Sequence, residues 1–322
     1  MKFSRRQAVL RVIAPLTALL LASCARDPKD QRIVLGFSQI GAESEWRTAN
    51  TESIKAAAAT MNIELRFADA QQKQENQIKA LRNFIAQKVD VIAFSPVVAT
   101  GWDTVLMEAK AANIPVILTD RAVSSDPSLY VGFLGSDFVE EGRKAGRWVS
   151  DKFKDVKDDV NIVELQGTVG AAPAIDRKNG FEEIIAANPH LKIIRSQSGD
   201  FTRAKGKETM EAILKSESRT IHVLYAHNDD MAIGAIQAIE EAGLKPGKDI
   251  LIVSIDAVKG AFQAMIAGKL NATIECNPLL GPQLMTSVAE VVAGRPIAKR
   301  MVVEETMFTM ETAKQYIQTR KY

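Results

Sequence analysis

Side chains that hold metals or attack substrates are scarce in this sequence. Two cysteines, Cys24 and Cys276, and three histidines, His190, His222 and His227, are all that its 322 residues contain. None of the histidines belongs to a Cys and His set of zinc-site spacing, so no metal centre is expected. Gly-x-Ser-x-Gly, the Walker loop and Gly-x-Gly-x-x-Gly are missing too. The usual marks of α/β-hydrolases, nucleotide hydrolases and dinucleotide enzymes go with them, and no cofactor is expected. An excess of one charge is also lacking: 41 Lys and Arg stand against 39 Asp and Glu, a formal net charge of +2. That balance gives no electrostatic case for nucleic acid. Beyond the first two dozen residues no apolar run reaches membrane-spanning length.

What is present begins with an export signal over residues 1–23. It opens with Lys2, Arg5, Arg6 and Arg11 and no acid, then runs through an apolar stretch from Val12 to Ala22 that is short for a bilayer span. Leu21-Ala22-Ser23-Cys24 resembles the lipobox of bacterial lipoproteins, whose cysteine becomes the lipidated first residue. An ordinary cleaved signal with a chance cysteine is the plainer alternative. Arg5-Arg6 after Ser4 resembles a twin-arginine signal, although Ala8 and Val9 stand where such signals carry a bulkier residue. Loss of this segment removes four positive charges and takes the formal +2 to −2. With Cys24 lipidated, Cys276 has no disulfide partner, so the fold rests on its core. Residues 24–31 read as a polar tether, and lipid is the expected membrane contact of a chain exported to the periplasm or the outer cell surface.

From there, short apolar runs alternate with helical patterns. The runs "RIVLGFS" (32–38), "IELRFAD" (63–69), "VDVIAFSP" (89–96), "IPVILTDR" (114–121) and "LYVGFLG" (129–135) are mostly unbroken, as strands buried on both faces are. "NIVELQG" (161–167), "LKIIRSQ" (191–197), "HVLYAHN" (222–228) and "DILIVSID" (249–256) repeat the pattern. Between them, "ENQIKALRNFIAQK" (75–88) puts Ile78, Leu81 and Ile85 on one helical face. Strand and helix in alternation predict an α/β fold with parallel sheets. Two sheets of five or six strands are more economical for this length than one of nine or more. The expected lobes are residues 32–137 plus 279–303 and residues 138–278 plus 304–322, with hinge crossings near Ser136, near Asn277 and near a strand at 300–308. A cleft between them is then lined by the carboxyl ends of the strands.

Those ends carry one kind of chemistry. Ser38 closes the first run, and the next turn carries Glu43, Trp46 and Arg47; Asp120 and Arg121 follow the fourth, Arg177 the sixth, Asn228 the eighth, Asp256 the ninth, and Asn277 ends "NATIECN". Carboxylates and amides accept from hydroxyls, guanidinium groups donate in pairs, and an aromatic ring covers a C–H face, which suits a neutral polyhydroxylated molecule. Taken alone, Asp120-Arg121 reads as a surface ion pair, Asp176-Arg177 as a solvated helix start, and Asn228 or Asp229 as a helix cap. Convergence of several strand ends on one cleft is what raises the ligand reading. Asp120 and Asp256 as a glycosidase pair is disfavoured, because each has an Arg or Asn neighbour that favours a permanently ionised acceptor.

"VLGFSQIGAESEWRTA", "QQKQENQIKALRNFIAQ", "VELQGTVGA", "IDRKNGF", "IRSQSGDFTRAKGKE" and "YAHNDDMAIGAIQAIEEAGLKPGKDI" resemble the periplasmic sugar-binding proteins of ABC importers. Within the ribose- and galactose-binding group, which shares its fold with LacI-type repressors, the likeness is to the galactofuranose-binding type and spans nearly the whole mature chain. The resemblance implies two Rossmann-like lobes joined by three hinge strands, a sugar held by Asp120, Arg121, Arg177, Asn228 and Asp256 with Glu43, Trp46 and Arg47, and delivery to an ABC permease by a monomer. Ser38 and Asn277 are additional candidates, and Asp229 and Asp230 are expected to hold the helix start behind Asn228. Glu45 departs from the type, where a small residue is usual, as does the run after the aspartate in "SIDAVKGAF". An added carboxylate at the pocket mouth is expected to bear on which sugar is accepted. A sensor lipoprotein signalling to a membrane kinase or chemoreceptor keeps every residue assignment; a LacI-type regulator needs an N-terminal helix-turn-helix where an export signal stands.

Overall fold

A computed structural model of the protein describes residues 32–322; the export signal, Cys24 and the tether lie outside the described residues. Among the described residues no helix is long and apolar enough to cross a membrane.

The first sheet begins with β1 (Val34–Gln39), α1 (Glu45–Thr60), β2 (Glu64–Asp69), α2 (Gln74–Ala86), β3 (Val91–Phe94), α3 (Asp103–Ala111), β4 (Val116–Thr119) and β5 (Gly132–Gly135). The chain then enters α4 (Phe138–Lys152), β6 (Val160–Gln166), α5 (Ala172–Ile185), β7 (Leu191–Ser198), α6 (Arg203–Ser216) and β8 (Val223–Ala226). It continues through α7 (Asp229–Glu241), β9 (Leu251–Asp256), α8 (Lys259–Ile266) and β10 (Ala272–Glu275). Then come α9 (Gly281–Val292), β11 (Arg300–Val302), β12 (Met307–Thr309) and α10 (Ala313–Tyr316). The two sheets run β11-β5-β4-β3-β1-β2 and β12-β10-β9-β8-β6-β7.

Both faces of the first sheet are covered, and period-two alternation assigns its residues to them. Leu35, Phe37, Val91, Ala93 and Ile117 pack with Ile54 of α1 and Leu284 and Val288 of α9. Ile92, Phe94, Val116 and Leu118 point the other way, onto Leu81 and Phe84 of α2 and Val105 and Leu106 of α3. Each such side chain contributes roughly 1.5–3 kcal/mol by leaving water, which is why unbroken runs of Val, Ile and Phe become strands here. The second sheet is buried in the same way, around Ile162, Val163, Leu224, Tyr225, Val253 and Ile255.

The chain passes between the sheets three times: after β5, between β10 and α9, and between β11 and β12. At the last crossing the single strand expected over 300–308 is divided. "RMVVEETMF" is not one strand but two, β11 pairing parallel with β5 and β12 pairing antiparallel with β10, with Val303 to Thr306 spanning the gap. Glu304 and Glu305, poor strand formers, fall in that gap.

Candidate functional site

Between the carboxyl ends of the two sheets lies a small polar cavity. One wall carries Glu43, Ser44, Trp46, Arg47, Asp120 and Arg121; the other carries Phe138, Pro173, Arg177, Phe201, Asn228, Asp256 and Cys276. Thus Glu43, Trp46, Arg47, Asp120, Arg121, Arg177, Asn228 and Asp256 come together. Ser38 and Asn277 do not line it: the Ser38 hydroxyl, near the end of β1, is buried with no partner among the described residues. Asn277 takes the Leu279 N–H on its own side chain at 2.9 Å and donates its backbone N–H to Glu305 at 3.0 Å.

Three wall residues hold backbone conformations that L-residues rarely adopt: Asp120 with φ 61°, Phe201 with φ 60° and Asp256 with φ 123°. Each costs on the order of 1–3 kcal/mol and persists only because the surroundings fix it. At Asp120 the N–H to Leu134 O bond of 2.7 Å is one such constraint, and the turned backbone aims the carboxylate back over the sheet edge. Strain gathered at one cavity is a mark of a functional site.

On the first wall Arg47 is the organising cation. It donates Nη2–H to Asp120 at 2.7 Å, Nε–H to Glu43 at 3.0 Å and Nη1–H to Gln39 at 3.2 Å. Its place follows from Ser44, whose hydroxyl caps α1 by accepting the Arg47 N–H. Arg121 donates Nη1–H to Val97 O at 3.0 Å, and its Nε–H finds no acceptor among the described residues. Burial, with Arg47 nearby, lowers its guanidinium to about 10. Glu43 Oε2 is likewise buried without a donor. An unpaired buried donor and acceptor each cost about 1–3 kcal/mol, so this wall is built to take up a group that both accepts and donates.

On the second wall Arg177 donates to Glu141 at 2.7 Å and to His227 O at 2.6 Å, with its Nη2 3.7 Å from Asp256. Burial opposes its charge, but the nearby acids, Glu141 foremost, outweigh that and leave it above its ordinary value. Asp256 does not follow the sequence reading of a permanently ionised acceptor. Burial pushes its carboxyl well above the ordinary range, and Arg177 at this distance only partly offsets that. The Phe138 and Phe201 rings lie 5.0 and 6.0 Å from the Arg177 guanidinium carbon, and Phe201 also lies 5.1 Å from that of Arg121.

Behind this wall Glu141, Cys276 and Glu305 bring their ligating atoms within 4.8 Å of one another. Each is occupied by hinge chemistry: Glu141 holds Arg177, the Ser136 hydroxyl donates to Glu305 at 2.5 Å, and Cys276 Sγ lies 3.4 Å from the Ser136 hydroxyl. All three crossings therefore meet at Glu305. Burial, with Glu141 beside it, pushes the Glu305 carboxyl from 4.5 up to about 9. A carboxyl raised in the fold stabilises it fully below the unfolded value, and that contribution is lost as pH rises from 4.5 through about 9. Glu305→Gln, which cannot ionise, is expected to flatten the fall of Tm over that window by about 10 °C, measured by calorimetry. Slopes identical to wild type count against the raised carboxyl.

The stretch Asn228-Asp229-Asp230 divides differently from the sequence reading. Asn228 lines the cavity and is itself the cap of α7, its Oδ1 accepting the Met231 N–H at 3.0 Å. Asp229 faces away from the cavity, accepting from Ser254, from Thr273 at 2.8 Å and from the Val258 N–H at 2.9 Å, and so ties α7 to β9, β10 and α8. Asp230 reaches the other lobe, accepting the Glu45 N–H at 2.8 Å. Sequence reasoning missed Phe138, Phe201, Pro173, Ser44 and Cys276 on the walls, and Glu141 behind them. "SGDFTRAKGKE" carried Phe201 in plain view, but only its left-handed backbone turns the ring inward.

A family profile described as a periplasmic binding protein domain matches residues 35–296. The galactofuranose-binding protein YtfQ of Escherichia coli is 48% identical over 317 residues, covering 97% of this chain and 98% of that one. A Mycobacterium smegmatis protein solved with β-D-fucofuranose is 57% identical with a TM-score of 0.88, covering 90% of this chain and 95% of that one. The periplasmic binding component of the arabinose ABC transporter of Shewanella sp. ANA-3, solved with α- and β-L-arabinofuranose, is 52% identical with a TM-score of 0.86, covering 89% and 95%. Two parallel-sheet lobes, three crossings and a polar cavity at the strand ends accord with these likenesses, and the chain belongs to the periplasmic binding protein family.

Proposed function

We propose that this protein is the extracytoplasmic sugar-binding component of an ABC importer, taking one monosaccharide, galactofuranose or a related aldose in its furanose form, and handing it to a membrane permease. The observation that carries the proposal is the pair of buried, unpartnered groups on one cavity wall, Arg121 Nε–H and Glu43 Oε2, facing Arg177 and Asp256 on the other. A hydroxyl accepts from the first and donates to the second. The furanose forms bound by the similar proteins select the ring class. Glu43, Trp46, Arg47, Asp120 and Arg121 dock the sugar on the lobe of residues 32–137 plus 279–303. Closure brings Arg177, Asn228 and Asp256 from the lobe of residues 138–278 plus 304–322. The protein is read as a binder and not a catalyst, because the similar proteins are sugar-binding components of transport systems. It acts as a monomer, exported and held to the membrane by lipid on Cys24.

Calorimetric titration of the mature protein against galactofuranose, galactose, ribose and arabinose tests the reading. Affinity for at least one tighter than ~1 mM, about −4 kcal/mol, is expected. No binding at that level to any of them overturns it.

A further inference from the structure

Glu45 does not line the cavity; its side chain is 43% exposed and lies at the cleft mouth. Its surroundings come from the opposite lobe. Arg203, the first residue of α6, donates Nη2–H to Glu45 Oε1 at 2.9 Å and Nε–H to Asp230 Oδ1 at 3.0 Å. Asp230 Oδ2 accepts the N–H of Glu45 itself, the first residue of α1, at 2.8 Å. The carboxylate of one lobe thus completes the start of a helix in the other, where an exposed backbone N–H and the helix dipole both favour an anion. Gly260 at the start of α8 leaves room for the arrangement: a Cβ built there stands 3.1 Å from Glu45 Oε2.

We infer that Glu45, Arg203 and Asp230 form a clasp across the cleft mouth that touches no sugar and sets how long the closed lobes stay shut. The inference rests on the sugar-binding reading for its functional meaning and on the geometry alone for its existence. Glu45 and Arg203 are on different lobes, so the pair exists only when the cleft is closed, and a contact made only in one state shifts the equilibrium toward that state. Its effect falls on release: opening must break it, whereas encounter with sugar precedes it. Glu45 therefore bears on affinity through closure rather than on which hydroxyl pattern the cavity accepts. A second rim contact, Ala99 N–H to Gly170 O at 2.9 Å, is made by backbone and remains when the clasp is removed. Partial rather than total loss of affinity follows.

The test is stopped-flow release, with D-galactose or L-arabinose as the probe, from the wild type, Glu45→Ala, Arg203→Ala and the double variant. Each single variant is expected to release sugar about 3–10 times faster at low salt, with association changed less than about twofold. The double variant is expected to fall within about twofold of the faster single variant, since either substitution already breaks the cross-lobe pair. Raising salt to about 0.5 M is expected to narrow the difference from wild type. Unchanged release in both single variants, or effects that multiply in the double, overturn the clasp. Should the wild type bind none of galactofuranose, galactose, ribose and arabinose, the sugar-binding reading has failed, and small-angle scattering of the sugar-free proteins decides the clasp. A larger radius of gyration in the variants supports it; equal radii overturn it.

Discussion

Arg177→Ala is expected to weaken sugar binding at least 100-fold, the largest loss of any single substitution on the cavity wall. Arg177 is held at two points, by Glu141 at 2.7 Å and His227 O at 2.6 Å. Its Nη2 stands 3.7 Å from Asp256, too far for a hydrogen bond, and faces the cavity. Charge-assisted hydrogen bonds contribute about 1.5–3 kcal/mol each, and a forked guanidinium makes two without further ordering of its side chain. Arg177→Lys keeps the charge but loses the fork, and about a tenfold weakening is expected there. The substitution also strips a buried carboxyl of its cation. Burial already raises Glu141, so with Arg177 gone it takes up a proton rather than remaining a naked charge. Tm therefore drops moderately, and Arg177→Ala with Glu141→Gln recovers Tm without recovering affinity. Calorimetric titration beside thermal melts separates the two effects; wild-type affinity in Arg177→Ala removes the residue from the site.

How far such a site can be read from sequence depends on what each residue's job requires. Asp120, Arg121, Arg177, Asn228 and Asp256 were legible because they follow buried strands, and open α/β sheets expose the ends of their strands to one cleft. Glu141 was not, since "VEEGRK" has the look of a solvated helix turn until α5 covers it. Phe138 and Phe201 were hidden for a different reason: an aromatic residue beside a crossing or in a loop has no period to declare its direction. Asp229 and Asp230 show the limit most clearly. Neighbours of the same type after one strand end serve opposite sides of the molecule, one anchoring Ser254 and Thr273 inside its lobe, the other reaching Glu45 across the cleft. Helical geometry turns adjacent side chains about 100° apart, and no local pattern reports what lies in each direction.

Stability of the second lobe hinges on two glycines whose backbones meet. A Cβ at Gly142 of α4 would stand 2.2 Å from Arg177 O, and one at Gly180 of α5 would stand 2.0 Å from Val139 O. The obstacle in each case is main chain, which cannot rotate aside. Gly142→Ala gains up to about 1 kcal/mol of helix propensity, yet it forces α4 and α5 apart, and overpacking of this kind costs about 1–3 kcal/mol or more. A net loss of about 2 kcal/mol is expected for alanine and more for Gly142→Leu, with Tm falling by about 4–8 °C in the milder variant. Function moves with it, because Glu141, which holds the Arg177 side chain, is the adjacent residue, and the carbonyl that would be struck belongs to Arg177 itself. Separation of the helices by even half an ångström lifts the guanidinium out of register with Asp256, so affinity is expected to drop about tenfold in a protein that still folds. Thermal melts and titrations on Gly142→Ala check both halves. A variant with wild-type Tm shows that the helices have room to spare, and one that melts early yet binds normally shows that Arg177 is positioned from the β8 side, through His227 O, rather than through α4.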